Sequence, residues 1–155
     1  MSHFVVTVLT PRAFALQEAE AAVAFIRNLA DSVKGNDFHV AGQPFNFEFV
    51  DLDDEIEEDL RGLVIQSWPV RGALRLVVFT SATVSHVLLG VMASRLAQMF
   101  DGWIALDGLL ERVTDNPSVL TYEGINGRLR TEHGFDIVSP AVMGYWLGTE
   151  SFRLP

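Results

Sequence analysis

The stretch "ALRLVVFTSATVSHVLLGVMASRLAQMFDGWIAL", Ala73–Leu106, passes from strand to helix to strand, and the rest of the fold is read outward from it. "ALRLVVFT" (Ala73–Thr80) is apolar at nearly every position and reads as a buried strand. From Ala82 to Phe100 the period changes. Val84, Val87, Leu88, Val91, Met92, Leu96, Met99 and Phe100 recur at helical spacing, which makes this the most apolar helix of the chain. Its polar positions are Ser85, His86, Ser94, Arg95 and Gln98, and the polar stripe places His86 at a surface or an interface. Gly102 then opens a short strand that runs through Leu106.

Upstream, "FVVTVL" (Phe4–Leu9) has apolar residues on both faces and reads as a central strand. Thr10 and Pro11 supply a cap and a first-turn proline. Leu16, Ala19, Val23, Ile26, Leu29 and Val33 continue at helical spacing, and Lys34-Gly35 is the expected stop. "PFNFEFV" (Pro44–Val50) alternates Phe45, Phe47 and Phe49 with Asn46 and Glu48, a strand with one aromatic face. Downstream, strand pieces are expected at Val119–Tyr122 and Gly127–Thr131. Ser139-Pro140 then caps a short helix that Gly148 stops.

The order strand, long helix, strand, strand, long helix, strand predicts the α+β class. The specific expectation is a ferredoxin-like βαββαβ core with an extra acidic helix and a C-terminal strand/helix extension. A three-layer α/β sheet of more parallel character is the alternative. No repeat or linker interrupts the chain, so residues 1–155 are expected to form a single globular domain.

Hydrophobic residues make up 49% of the sequence and charged ones 20%, a globular composition at a length that can bury a substantial core. There is no cysteine, which removes disulfides, thiolate metal sites and cysteine nucleophiles. "MSHFVVTVLTPRAF" lacks a basic leader followed by an apolar run, and "VLLGVMA" (Val87–Ala93) is far short of the roughly 20 residues of a membrane span. A cytoplasmic protein with no membrane partner is expected.

The net charge of −9 is concentrated in "VDLDDEIEEDLRG" (Val50–Gly62), where seven carboxylates fall between Asp51 and Asp59. Apart from those seven, the chain has thirteen acids against eleven bases. The bases form no patch, which disfavours nucleic acid as a partner. Leu52, Ile56, Leu60, Leu63 and Val64 fall on a helical stripe within and just after the run, so it reads as an amphipathic helix with its acids in the early turns. A calcium loop starting at Asp51 needs glycine at its sixth position and glutamate at its twelfth, and meets Ile56 and Gly62 instead. The ordinary reading of such a run is a solvated helix face. The functional one is a docking surface for a basic protein, in which Asp51, Asp53, Asp54, Glu55, Glu57, Glu58 and Asp59 meet lysine and arginine.

No phosphate loop, dinucleotide fingerprint or nucleophile elbow is present, and His3, His39, His86 and His133 show no zinc spacing. Ser85 and His86 are adjacent on a helix and cannot form a dyad. No cofactor, metal or catalytic group is expected. Arg128, Arg130 and His133, with Asp136 close by, are the one other cluster, able to clasp an anion in a small enzyme or ligand-binding domain. Their ordinary reading is a charged guard on an edge strand. Pairing of two copies through an exposed sheet edge is a third possibility, and the sequence leaves the oligomeric state open.

Two stretches carry a resemblance. "LAQMFDGWIALDG" (Leu96–Gly108) is built on Gly102-Trp103-Ile104, and "HGFDIVSPAVMGYWLGTESFRLP" (His133–Pro155) contains Tyr145-Trp146-Leu147 and Phe152-Arg153-Leu154. Together they resemble a bacterial family of small uncharacterised domains whose genes tend to lie near polymorphic toxin genes. The resemblance implies an immunity-type protein that binds a cognate toxin and blocks it by direct contact, without catalysis. On that expectation the acidic run is the contact surface and the toxin presents a basic one.

Overall fold

The computed structural model describes residues 3–109, 113, 128–131, 134–149 and 152–155. The chain begins with β1 (Phe4–Thr10) and α1 (Leu16–Leu29), followed by β2 (Ser32–Lys34), β3 (Asp37–Val40) and β4 (Gln43–Phe49). A 3-10 turn (Glu55–Glu57) and the one-turn α2 (Glu58–Arg61) follow, then β5 (Val64–Ile65) and β6 (Trp68–Pro69). Next come β7 (Gly72–Val78), α3 (Thr83–Met99) and β8 (Trp103–Leu106). The described chain closes with β9 (Arg128–Arg130), β10 (Asp136–Val138) and α4 (Pro140–Leu147).

An eight-stranded sheet runs in the order β2-β3-β4-β7-β1-β8-β10-β9, antiparallel at each pairing. The class is therefore α+β, and the more parallel sheet of the alternative reading is not formed. Helix α3 connects strands two places apart, β7 and β8, with β1 running in the opposite direction between them. Helix α1 leads to the β2-β3 hairpin at the sheet edge, from which the chain returns to β4, two places from β1. The near alternation of helices and strands suggested the more parallel sheet, which in α/β folds is covered on both faces. Here an antiparallel sheet is covered on both.

Alternation along the strands divides the core in two. Val6, Val8, Leu74, Leu76 and Ile104 face α1, α3 and α4, where they meet Ile26, Leu89, Met92, Leu96, Val142 and Trp146. Leu9, Ala73, Trp103, Ala105 and Ile137 face the other way and are covered by Leu60, Ile65 and Val70 from the segment between β4 and β7. At about 1.5–3 kcal/mol for each large apolar side chain removed from water, neither face can be left open.

Several local expectations are corrected. Helix α1 starts at Leu16, five residues past Pro11, because Thr10 completes β1 and its hydroxyl donates to the Arg12 carbonyl at 2.7 Å. Lys34-Gly35 does not stop α1. Lys34 pairs with Asp37 across a two-residue turn, with Gly35 at φ 62, so that β2 and β3 form a hairpin that takes in Val33. Helix α3 matches its expected span, but Ser85, His86 and Ser94 are buried, whereas Val84, Val91 and Met99 are exposed. Its buried arc follows the sheet and α4 rather than the hydrophobic stripe. Helix α4 begins as expected, with the Ser139 hydroxyl accepting from the Val142 amide at 3.2 Å. The expected strand at Val119–Tyr122, and Gly127, lie outside the described residues.

Two glycines with opposite surroundings test the packing. A Cβ on Gly102 would fall on the Leu9 carbonyl oxygen, at the point where the chain enters β8 beside β1. Gly144, in α4, has nothing within 4 Å of a Cβ. Urea denaturation is expected to show Gly102→Ala less stable by about 1–3 kcal/mol or more. Gly144→Ala is expected to gain about 0.5–1 kcal/mol from helix propensity and reduced chain entropy.

Candidate functional site

The acidic segment is not a continuous helix. Its short polar side chains take up the backbone amides that a helix would use. Asp51 accepts from the Asp53 amide at 3.0 Å, and Asp54 accepts from the Ile56 amide at 3.1 Å. These turns break the regular stripe. Leu60 is buried, Leu52 and Leu63 are half-buried, and Ile56 is 85% exposed. The anchoring of the segment thus rests on Leu52 and Leu60 and not on Ile56.

A second anchor is ionic. Arg75 projects from β7 onto the same sheet face, where its Nη2 donates to both Glu57 carboxylate oxygens at 2.9 Å. Its Nη1 donates to Glu48 of β4 at 3.3 Å. The Glu57 and Arg75 side chains are 15% and 24% exposed, and Glu48 is 58% exposed. The bidentate pair therefore matters to the fold far more than the Glu48 contact does.

Of the seven carboxylates expected to meet a partner, Glu57 belongs to the scaffold. Asp51, Asp53, Asp54, Glu55, Glu58 and Asp59 are exposed on one short segment, with Ile56 among them. Asp53, Glu55 and Glu58 have no side-chain partner among the described residues. A cavity of about 190 Å³ lies between this segment and the sheet, lined by Ile56, Glu57, Asp59, Thr7, Arg75 and Asp107. Small-molecule sites usually enclose about 300–1,000 Å³, so this space suits a partner's side chain better than a cofactor. Among the described residues, no group of three or more histidine or carboxylate side chains is placed to hold a metal ion.

The other cluster is only partly brought together. Arg128 and Arg130 lie on β9, at the end of the sheet order, opposite Val138 and Asp136 of β10. Asp136 is buried, and His133 lies outside the described residues.

His86 is the residue that the sequence reading misplaced. It is 3% exposed, its ring lies 4.1 Å from that of Phe4, and its Nδ1 accepts from the Leu154 amide at 2.8 Å. The ring is therefore neutral, with its proton on Nε2, and that atom has no hydrogen-bond partner among the described residues. Burial, and then the nearby Arg153 guanidinium, hold its pKa below 6.5. The signal lay in "FRLP" (Phe152–Pro155), whose alternating Phe152 and Leu154 are both buried and carry the Leu154 amide to the ring.

Comparison with known proteins places this arrangement in a family. A family model described as "Family of unknown function (DUF6368)" matches residues 4–155. The chain belongs to that family. No curated protein and no solved structure matches it. The DUF6368 match takes in the whole sheet, the acidic segment and the tail that meets His86, and the family's description assigns no activity. No helix among the described residues of this DUF6368 chain is long and apolar enough to cross a membrane.

Two measurements test the roles of Glu57 and His86. Glu57→Ala strips Arg75 of its bidentate partner and should cost about 1–3 kcal/mol, between the values for exposed and buried pairs. Glu55→Ala on the same segment should stay within about 0.5 kcal/mol of the parent. For His86, the unfolded ring takes up a proton near pH 6.5 and the folded ring only at lower pH. Stability should therefore fall as pH drops below 6.5, and level off below the folded pKa. Melting curves between pH 7.5 and 5 should show a shallower dependence in His86→Gln; an unchanged slope would assign the effect elsewhere.

Proposed function

We propose that this chain is an immunity-type protein that binds a cognate bacterial toxin and neutralises it by direct contact, with its acidic segment on a basic surface of the toxin. The observation that carries the reading is the division of labour within the segment. Glu57, Leu52 and Leu60 hold it to the sheet, while six carboxylates and Ile56 stand out from it. Clustered like charge works against the compact state through self-repulsion. Ile56, at 85% exposure, offers an apolar contact among these carboxylates.

The proposed action needs no catalytic group, metal or cofactor from this chain. The carboxylates would accelerate encounter with a basic surface and repel acidic competitors, and Ile56 would add contact area once the two are docked. Nucleic acid is not a partner on this reading, because its phosphates would meet the same carboxylates.

The proposal extends to the architecture. We assign β1-α1-β4-β7-α3-β8 as a ferredoxin-like βαββαβ core, to which the β2-β3 hairpin, the acidic segment and the C-terminal β10-α4 unit are additions. What supports it is the order β4-β7-β1-β8, the α3 crossover that skips one strand, and an α1 connection that does the same once the β2-β3 hairpin is taken as an insertion.

Co-expression with the cognate toxin should rescue growth and yield a complex. Neither rescue nor complex would end the immunity reading. Binding should weaken as salt rises. Reversing Asp53, Glu55 and Glu58 to lysine should slow association by about tenfold or more while leaving the melting temperature close to the parent's.

A further inference from the structure

The cavity of about 190 Å³ beneath the acidic segment has a floor that the sheet register explains. On the face away from the long helices, Arg75, Thr7, Ala105 and Ile137 form one row across β7, β1, β8 and β10. The neighbouring row on that face is filled by Leu9 and Trp103. In the Thr7 row the two central residues are small, and the Arg75 side chain is drawn to Glu57, which leaves a hollow above Thr7 and Ala105. Val5 and the Leu106–Asp107 end of β8 bound it beyond that row, together with Phe135 just before β10. Ile56, Glu57, Asp59 and Leu60 of the acidic segment enclose it from the opposite side.

Two independent features indicate what the hollow takes. The first is the Thr7 side chain, which is 6% exposed and lines the cavity. Its hydroxyl has no hydrogen-bond partner among the described residues. Nor is it sealed off, since His86 Nε2 is the one fully enclosed side-chain donor or acceptor without a partner among them. A buried hydroxyl of this kind calls for a partner that the chain itself does not supply. The second feature is charge. Glu57, Asp59 and Asp107 line the space with three carboxylates against the single guanidinium of Arg75, which Glu57 and Glu48 already engage. Asp107 is exposed and has no ion pair among the described residues.

We propose that this cavity receives one arginine side chain of the protein partner, with its guanidinium between Asp107 and the Thr7 hydroxyl. The proposal rests on the reading of the acidic segment as a docking surface, and adds to it the point at which the partner is anchored. The volume lies below the roughly 300 Å³ at which small-molecule sites begin, which suits a single long side chain. A guanidinium has five donors to share between a carboxylate and a hydroxyl, and it is more weakly hydrated than an ammonium. Its aliphatic stem can lie along Val5, Ile56, Leu60 and Phe135, the apolar part of the wall. Arginine anchors seated in pockets are among the side chains on which interfaces most depend. Asp107 lies outside the acidic run, so the anchor extends the surface beyond the segment.

The test is a titration of the ¹⁵N-labelled full chain, at constant ionic strength, with Nα-acetyl-arginine amide and with the corresponding lysine and citrulline derivatives. The arginine derivative should give saturable shifts at the Thr7, Ile56, Ala105 and Asp107 amides. The lysine derivative should bind more weakly, and the uncharged citrulline one should give no such shifts. Asp107→Asn, at an exposed position, should weaken binding by about tenfold. Thr7→Val should also weaken it and Thr7→Ser should retain it, with the folding of each variant verified by circular dichroism. Absence of saturable shifts at these amides, or shifts confined to another part of the chain, would overturn the proposal. So would equal affinity for the lysine or citrulline derivative, or equal affinity in the parent and Asp107→Asn. In the toxin complex, Asp107→Asn should speed dissociation by about tenfold with the acidic segment intact. A complex that responds to reversal of Asp53, Glu55 and Glu58 but not to Asp107→Asn would overturn the pocket and leave the docking surface. Saturable arginine shifts without a toxin complex would support the pocket and overturn the docking reading.

Discussion

Strand β1 is buried on both faces and hydrogen-bonded on both edges, and the rest of the structure follows from that. Its seven residues pair with β7 along their full length, from Phe4 opposite Val78 to Thr10 opposite Gly72. Four of them also pair with β8, from Val6 opposite Leu106 to Leu9 opposite Trp103. Val6 and Val8 require cover from the helices, and Leu9 requires cover from the other side. A two-layer domain would satisfy only the first need. The segment between β4 and β7 satisfies the second, and this is why an acidic stretch lies across an apolar sheet face rather than looping freely into solvent. Gly72 and Gly102 belong to the same constraint. Both sit against the end of β1, where a Cβ would strike Thr10 or the Leu9 carbonyl.

Arg75 translates this packing into a surface. It is the one charged residue of β7, and it stands on the sheet face that carries the acidic segment. With Leu60 and Leu52 on one side of the segment and the Glu57 pair on the other, the segment is held at two chemically different points. The apolar contacts determine that it lies on the sheet. The ion pair fixes where the 3-10 turn meets the sheet, because one guanidinium nitrogen is centred on both Glu57 oxygens. The exposed carboxylates are consequently displayed in a defined order, on a mount that does not depend on Asp53, Glu55 or Glu58.

Much of this was legible in the sequence, and the failures share one cause. The strands around Phe45–Phe49 and Ala73–Val78, helix α3 and the capped start of α4 were readable because their periodicity or their capping residues are local. The β2-β3 hairpin was missed because Lys34-Gly35 is an equally good helix stop and hairpin turn, and only the pairing of Phe38 with Phe45 in the sheet decides between them. The acidic run was read as one helix because Ile56 fell on the stripe, although aspartates at 51 and 54 were positioned to capture amides and break it. The acidic run was legible as a segment, but the distinct role of Glu57 depends on an arginine 18 residues away. His86 is the extreme case. Its partner amide lies 68 residues along the chain, so its own helix contains no trace of the bond.

Separation of mount from display has an evolutionary consequence. Substitutions at Asp53, Glu55, Ile56 and Glu58 change what the segment presents without touching Leu52, Leu60, Glu57 or the strand they protect. Such positions can drift quickly while the domain keeps its stability, since surface changes away from packed or paired groups usually move it by no more than about 0.5 kcal/mol. A lineage that must follow a changing partner could therefore rewrite this surface one residue at a time, each intermediate remaining folded.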